Sequence, residues 1–293
     1  MSSRPKQLNP GDRIGVIAPS GVYDAKRLSD SVRLLEEWGF KCVLAPNLGK
    51  THRYLAGTDT ERLHDLQWAL CSPNLDAVWA ARGGYGLNRL LPGLDFSSLD
   101  ERPVIGFSDI TSLHVALFQE AGKSGIHGPV LHSLVSHPSQ ASQDHLRRLL
   151  LGEHDFSLDG ALWREGTASG PVVGGNLCML TSLCGSPWQL KAEGCILLVE
   201  DVGEAPYRVD RMLQQLRLAG CLDGVVGAAV GSFEGCLAPD GADWGLRDLI
   251  CEALDVPVIG ELPVGHGHEN RAFVYGASGR IDGDSLVFGP AAQ

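Results

Sequence analysis

Three stretches of the sequence carry residue types that together can cut an acyl bond. The first is Val104-Ile105-Gly106-Phe107-Ser108-Asp109-Ile110-Thr111, where an apolar strand meets a helix at a serine. A sharp strand-to-helix turn lifts a hydroxyl clear of the sheet, and glycine two residues earlier, at Gly106, removes the side chain that would obstruct it. The backbone N–H of Asp109 lies at the helix start, unpaired within the helix and at the positive end of its dipole, so it can stabilise an oxyanion. The same fragment also reads as a serine N-cap. It departs from the usual hydrolase elbow in carrying Ile110, not glycine, two positions after the serine.

The second stretch is the apolar run Ile196-Leu197-Leu198-Val199, which ends in Glu200-Asp201. A carboxylate at the end of a buried strand needs a partner because its desolvation is costly. A histidine N–H would satisfy it and fix the ring tautomer. The alternative is an acidic pair that opens a helix and faces water. The third stretch, Gly265-His266-Gly267-His268-Glu269, supplies two histidines on a glycine-rich loop. Histidine is the usual general base near neutral pH. A His-x-His-Glu metal site is the competing reading, but no further ligands stand at matching spacing. Of the other histidines, His114 reads as structural and His127 as a residue that could line a pocket. A fourth stretch, Arg82-Gly83-Gly84-Tyr85-Gly86, follows an apolar strand. Its glycines permit positive φ and close backbone approach. It lacks the P-loop Lys-Ser/Thr and the dinucleotide spacing. It reads as either a second oxyanion donor, from Gly84 or Gly83, or a plain tight turn.

Composition narrows the classes. The net charge is −11, and no basic stripe of the kind nucleic-acid binders use is present. An acidic surface is also a poor match for anionic lipid. The longest apolar runs are too short to span a bilayer. The polar segment Met1 to Pro10 has no apolar signal-peptide centre, so a cytoplasmic location is expected. Eight cysteines without a CxxC read as buried free thiols. No metal and no cofactor are expected.

These residues need a scaffold. Strand patterns at Arg13 to Ala18, Lys41 to Ala45, Ala77 to Ala81 and Pro103 to Gly106 alternate with helical patterns at Asp24 to Trp38, after Thr58-Asp59-Thr60-Glu61, and at Asp109 to Ala121. That order predicts a parallel sheet with helices on both faces and a site at the carboxyl ends of its strands. The pattern weakens from about Pro138 to Gly170. Three segments are therefore expected: 1–140 as a nucleophile-bearing domain, 141–169 as a linker, and 170–293 as a smaller mixed α/β domain carrying the acid and the base. In that last segment strands are expected at Gly194 to Val199, Val225 to Gly231, Val256 to Ile259, Ala272 to Tyr275, Gly279 to Ile281 and Ser285 to Phe288. Helices are expected at Val209 to Ala219 and Asp243 to Leu254.

Taken together the motifs resemble the LD-carboxypeptidase family of serine peptidases, which includes murein tetrapeptide carboxypeptidases and microcin-immunity peptidases. The resemblance rests on Ile17-Ala18-Pro19-Ser20-Gly21, Arg82-Gly83-Gly84-Tyr85-Gly86, Gly106-Phe107-Ser108-Asp109-Ile110-Thr111, Gly174-Gly175-Asn176-Leu177, Glu200-Asp201-Val202-Gly203-Glu204 with Pro206-Tyr207-Arg208-Val209-Asp210-Arg211, and Gly265-His266. Six such segments in family order are far more specific than any one. The resemblance implies that Ser108 is the nucleophile, Glu200 orients the base, and His266 is the base. It implies an oxyanion hole from the Asp109 amide and a glycine of the Arg82 loop, Gly84 being the assignment. It also implies a flavodoxin-like or glutamine-amidotransferase-like N-terminal domain, a site where the two domains meet, and a homodimer. His268 stands as the rival for the base, although His266 fits the Gly-His motif.

The activity implied is release of terminal D-alanine from a murein tetrapeptide during peptidoglycan recycling. The D-alanine carboxylate needs a clamp, for which Arg82, Arg208, Arg211 and the Gly175-Asn176 turn are candidates. A second reading keeps the triad but gives it an aminoacyl-nucleotide substrate. It would need an aromatic residue, such as Trp163, Trp188 or Trp244, to stack on the base. A third reading is a doubly wound module that binds a nucleotide without catalysis.

Overall fold

The computed structural model describes residues 5–97, 99–136 and 138–289, in two compact units. The first comprises residues up to Glu153 together with Ala272–Val274, and the second comprises His154–Arg271 and Tyr275 onward.

In the first unit, strands β1 (Arg13–Ile17), β2 (Lys41–Leu44), β3 (Ala77–Ala80), β4 (Val104–Gly106) and β5 (Ile126–His127) form a parallel sheet. Its order is 2-1-3-4-5, the flavodoxin-like arrangement. Helices α1 (Ala25–Glu37), α2 (Asp59–Cys71) and α3 (Thr111–Ala121) connect successive strands, and α4 (Leu131–Leu134) and α5 (Gln140–Leu150) follow β5. The strands are buried along nearly their whole length except β2 at the edge, as a sheet covered on both faces requires. Local signals start the helices. Asp24 caps α1 through Arg27 N. Thr58 and Glu61 form a reciprocal capping box at α2. Gly122, in the left-handed region, ends α3.

In such a sheet ligands bind beyond the carboxyl ends of the strands, where neighbouring connections leave in opposite directions. Here that point lies between β1 and β3. The loops that follow those strands are Ala18 to Gly21 and Arg82 to Gly86, and the loop after β4 carries Ser108. Topology alone therefore gathers the first unit's chemical residues at one end of the sheet.

The second unit is built on an eight-stranded mixed sheet. It contains β6 (Phe156–Asp159), β7 (Ala161–Arg164), β8 (Ala168–Asn176), β9 (Ile196–Val202), β10 (Gly227–Glu234), β11 (Val258–Gly260), β13 (Ser278–Asp282) and β14 (Ser285–Phe288). Strands β8, β9, β10 and β11 run parallel at its centre, flanked by antiparallel strands. Helices α6 (Leu177–Ser182), α7 (Pro206–Leu218) and α8 (Leu246–Ala253) complete it. The residues of β9 from Ile196 to Asp201 are all buried, as expected of a central strand.

Two features differ from the sequence expectations. The stretch 141–169, expected as a linker, holds α5 and the strands β6 and β7. Ser139 caps α5, and Leu146, Leu149 and Leu150 bury its inner face while Gln, Asp and Arg cover the outer one. The polar composition belongs to an exposed face rather than to a loop. The strand expected at Ala272 to Tyr275, β12 (Phe273–Val274), belongs to the first unit. It pairs antiparallel with β5, and Phe273 stacks on His127 with ring centroids 4.9 Å apart. It thereby covers an otherwise open sheet edge. The eight cysteines are free thiols, but only Cys195, Cys221 and Cys236 are buried, whereas Cys42, Cys178, Cys184 and Cys251 are partly exposed and Cys71 is exposed.

The core of the first unit has a clear keystone in Trp79, fully buried on β3, whose Nε1 donates to the Pro129 carbonyl at 2.9 Å. Trp79→Ala is expected to destabilise the protein by about 3–5 kcal/mol through the lost burial and the cavity left behind, measured as a fall in the urea midpoint at unchanged slope.

Candidate active site

Ser108 is one of only three non-glycine residues with positive φ among those described, at +62°. A side-chain-bearing residue enters this region at a cost and persists there only when its surroundings impose it. Those surroundings are visible. The carbonyl of Gly106 accepts from the Gly128 amide at 3.2 Å and from His114 Nε2 at 2.9 Å, which fixes the end of β4. His114 is wholly buried, and burial lowers its pKa to about 4, so it serves as a neutral donor. A Cβ at Gly106 would come within 2.9 Å of Ile110 Cγ1, so glycine is required there by space. Past the turn, the Thr111 amide closes a single 3-10 turn over Ser108 to Ile110, which leads into α3. The Ser108 hydroxyl does not cap that turn, whose cap position is Phe107 with no side-chain hydrogen bond.

The glycine loop packs directly on this serine. A Cβ at Gly83 would lie 3.0 Å from Ser108 Cβ and 3.1 Å from Ser108 Oγ. Gly84 has φ +103°, which excludes a side chain at little cost only for glycine. The Gly83 carbonyl accepts from the Gly21 amide at 3.1 Å. Because carbonyl and N–H point opposite ways across a trans peptide, the Gly84 N–H faces away from Gly21. Among the described residues, neither the Gly84 amide nor the Asp109 amide finds an acceptor. The pair is thus available for an incoming oxygen.

The side chain of Asp109 is nearly fully buried and accepts from the Leu87 amide at 2.9 Å. Burial pushes its carboxyl up from the ordinary range, against the opposing pull of the Ser20 hydroxyl, the loop amides of Leu87 and Gly86, and Arg62. Arg82 is exposed and donates to the Val22 carbonyl, so it ties the glycine loop to the chain after β1.

In the second unit, Glu200 is completely buried, and its Oε2 accepts from His266 Nδ1 at 2.7 Å. The acidic pair does not face water. Neighbouring residues on a strand point to opposite faces, and Glu200 and Asp201 do so here. Asp201 Oδ2 accepts from the Cys178 amide at 2.9 Å and its Oδ1 from Asn176 Nδ2 at 3.0 Å. The His266 loop is held by several bonds. The Ser232 amide donates to the Val264 carbonyl at 2.8 Å, and the Gly267 amide donates to Ser232 Oγ at 3.0 Å. The β9–β10 register shifts between Val230 and Phe233, which turns Ser232 toward this loop. Gly265, at φ +115°, has no room for a side chain, since its Cβ would sit 2.6 Å from Glu200 Oε2. Burial lowers the His266 pKa, but the hydrogen bond and charge of Glu200, with the charge of Asp201, more than offset this, so the pKa is raised above its ordinary value. His268 is exposed, whereas His266 is the histidine held by the buried carboxylate.

The candidates for carboxylate recognition sit differently. Asn176 accepts from the Met179 amide at 3.1 Å as the cap of α6 and donates to Asp201, so its side chain is used within the fold. Gly175 lies within β8, opposite Val199, and not in a turn. Arg208 and Arg211 are exposed on α7. Arg208 lies 3.5 Å from Glu204, and Arg211 lies over the Tyr207 ring at 5.6 Å. Trp163 packs against Gly260 in the sheet, and Trp244 is an exposed residue before α8. Arg62 and the Asp109 carboxylate escaped the sequence reading. The available signal was an arginine four residues before Leu66, on the buried stripe of α2.

NMR titration of His266 is expected to give a pKa above 6.5. In Glu200→Gln, where burial remains but the carboxylate is gone, it should drop below 6.5.

Comparison with known proteins gives the family of the chain. Residues 14–128 match the LD-carboxypeptidase N-terminal domain, and residues 169–281 match the LD-carboxypeptidase C-terminal domain. The murein tetrapeptide carboxypeptidase of Pseudomonas aeruginosa is 36% identical, covering 98% of this chain and 99% of that protein. The microcin C7 self-immunity protein of Escherichia coli is 27% identical over 95% of this chain and 92% of its own length. The crystal structure of muramoyltetrapeptide carboxypeptidase from Oxalobacter formigenes superposes with a TM-score of 0.86 at 28% identity, covering 96% of this chain and all of that one.

Proposed function

The chain belongs to the LD-carboxypeptidase family of serine peptidases, and from that premise we propose that Ser108, Glu200 and His266 are its nucleophile, orienting acid and general base, acting on a murein tetrapeptide to release the terminal D-alanine. The observation that carries the reading is the left-handed backbone of Ser108, with Gly83 packed so close that a Cβ added there would lie 3.1 Å from the Ser108 hydroxyl. A cap or a structural turn has no need of that strain. A half-buried nucleophile beside an unpaired amide does.

In the acylation step the Ser108 Oγ attacks the scissile carbonyl carbon as its proton passes to His266 Nε2. Glu200 holds Nδ1–H and stabilises the imidazolium. The carbonyl oxygen becomes the oxyanion and receives the amides of Asp109 and Gly84. Collapse breaks the C–N bond, and His266 delivers its proton to the departing D-alanine amine. Water, deprotonated by the same ring, then attacks the ester, and the proton returns to Ser108 Oγ as the shortened peptide leaves. No step calls for a metal or a cofactor.

The identity to the murein enzyme of Pseudomonas aeruginosa exceeds that to the microcin immunity protein, and this supports the peptide over the nucleotide conjugate as substrate. Of the candidates for the D-alanine carboxylate, Arg82 has the best claim, because it begins the loop that abuts Ser108. With this reading go a cytoplasmic location, a role in peptidoglycan recycling and a homodimer. No helix of the described residues is long and apolar enough to cross a membrane.

Mass spectrometry of a tetrapeptide digest is expected to show loss of one D-alanine. Ser108→Ala should reduce turnover by roughly 10⁴–10⁶-fold with the fold intact. Cleavage only of an aminoacyl-nucleotide conjugate, or unchanged turnover in Ser108→Ala, would overturn the reading. Because the base must be neutral and its pKa is raised, kcat/KM is expected to fall as pH drops through a limb lying above 6.5. Glu200→Gln should move that limb lower while cutting the plateau rate.

A further inference from the structure

One peptide group in the first unit is gripped from both sides, by a buried guanidinium and a buried carboxyl group. The carbonyl of Gly86 accepts from Arg62 Nη1 at 3.0 Å. The N–H of Leu87, the other half of the same peptide bond, donates to Asp109 Oδ2 at 2.9 Å. Both side chains are almost wholly buried. Arg62 is itself tied down, donating to the Pro19 carbonyl and to Asp59 Oδ1, the latter at 2.6 Å. Asp59 in turn holds Arg89 at 2.5 Å. Gly86 has φ +132°, and a Cβ there would stand 2.8 Å from Arg62 Nη1, so the glycine lets the guanidinium reach the backbone.

The consequence lies two residues upstream. The glycine loop has a second anchor where the Gly83 carbonyl meets the Gly21 amide. Between the two anchors stand only Gly84 and Tyr85. Asp109 is bonded directly to Ser108, so its carboxylate ties the loop to the turn that bears the hydroxyl. Burying a guanidinium and a carboxylate brings a large desolvation cost, and an apolar pair of similar volume would pack without it.

We infer that Arg62 and the Asp109 side chain are positioning residues for acyl transfer, clamping the 86–87 peptide so that the Gly84 amide is held at a fixed distance from Ser108. The inference rests on the proposed role of Ser108 and extends it. Neither side chain touches the substrate. A clamp of this kind acts where charge develops on the carbonyl oxygen, so its loss is felt in the transition state more than in substrate binding.

The test uses Asp109→Asn, Arg62→Gln and Arg62→Lys in the full chain, with steady-state kinetics on the murein tetrapeptide and urea midpoints on the same samples. For folded Asp109→Asn and Arg62→Gln, kcat is expected to fall by about 10²-fold with KM within about threefold of the parent. Arg62→Lys, which keeps the charge but not the fork, should lie between them and the parent. The acid limb of kcat/KM should stay in place, because the His266–Glu200 pair is untouched. A peptide boronic acid, which adopts the tetrahedral form on the serine, should bind more weakly by a comparable factor. Binding of intact tetrapeptide to a Ser108→Ala background should not change when Asp109→Asn is added. Folded variants with kcat within about threefold of the parent, a loss confined to KM, or a displaced acid limb would each overturn the inference. If Arg62→Gln does not fold, Arg62→Lys and Asp109→Asn decide. Persistent turnover in Ser108→Ala is a separate result and would instead remove the nucleophile assignment beneath it.

Discussion

The left-handed backbone at Ser108 is the constraint around which the first unit is arranged. A non-glycine residue in that region costs about 1–2 kcal/mol relative to its relaxed forms. The molecule meets this cost by leaving the surrounding chain few alternatives. β4 ends on a carbonyl held by both the Gly128 amide and a buried neutral imidazole. Ile110 fills the space beside Gly106. The 3-10 turn then passes into α3, whose first turn is entirely buried. An exposed serine at a relaxed helix start would wag with its cap. Here the hydroxyl takes its direction from packed elements on either side.

The second unit solves a complementary problem. A carboxylate buried to the extent of Glu200 is tolerable only with close partners, and the geometry supplies an imidazole at 2.7 Å. The two glycines nearest to it serve the approach. Gly265 lies where any side chain would strike Glu200 Oε2, and Gly231 lies where a Cβ would crowd the Glu200 Cβ at 3.2 Å. The ring therefore reaches the acid because the two backbones that carry them can come unusually close. The resulting imidazole is more basic than a free histidine, yet still 20% exposed at its side chain, so one nitrogen is fixed and the ring retains access to solvent.

Much of this was legible in the residues, and the exceptions have physical reasons. The β-α-β-α order, the capping box at Thr58, the placement of Glu200 just after an apolar run and the tight turn at Ser108 all depend on local patterns, although β9 continues past Glu200 to Val202. Strand order has no such local source, since it depends on which buried faces meet, and the flavodoxin-like 2-1-3-4-5 order is implied by the family resemblance rather than by any local pattern. Helix α5 hid behind its polar outer face. β6 and β7 span only four residues each, and all of those residues but Leu158 are at least partly exposed. The strand β12 could be recognised as a strand, but its partner β5 lies about 150 residues earlier, as the pairing of Phe273 with His127 shows. Asn176 looked like a turn residue because Gly174-Gly175 precede it. In the fold those glycines lie in β8, where a side chain at Gly174 would collide with the Leu198 carbonyl. Asn176 is the cap that starts α6.

The adjacent carboxylates Glu200 and Asp201 show why residue type alone could not decide between a solvated acidic pair and a buried acid paired with an imidazole. Alternation along β9 sends their side chains to opposite faces, so two like charges that are sequence neighbours acquire separate environments. Asp201 is stabilised by the Cys178 amide at the start of α6 and by Asn176, and burial together with the charge of Glu200 raises its pKa. Glu200 is left with the imidazole. The two are not independent, because the negative charge of Asp201 also helps to keep His266 basic. Asn176 stands directly across the ladder from Glu200 while bonding to Asp201. It thus joins the helix cap, the second carboxylate and the Glu200–His266 pair into one local arrangement.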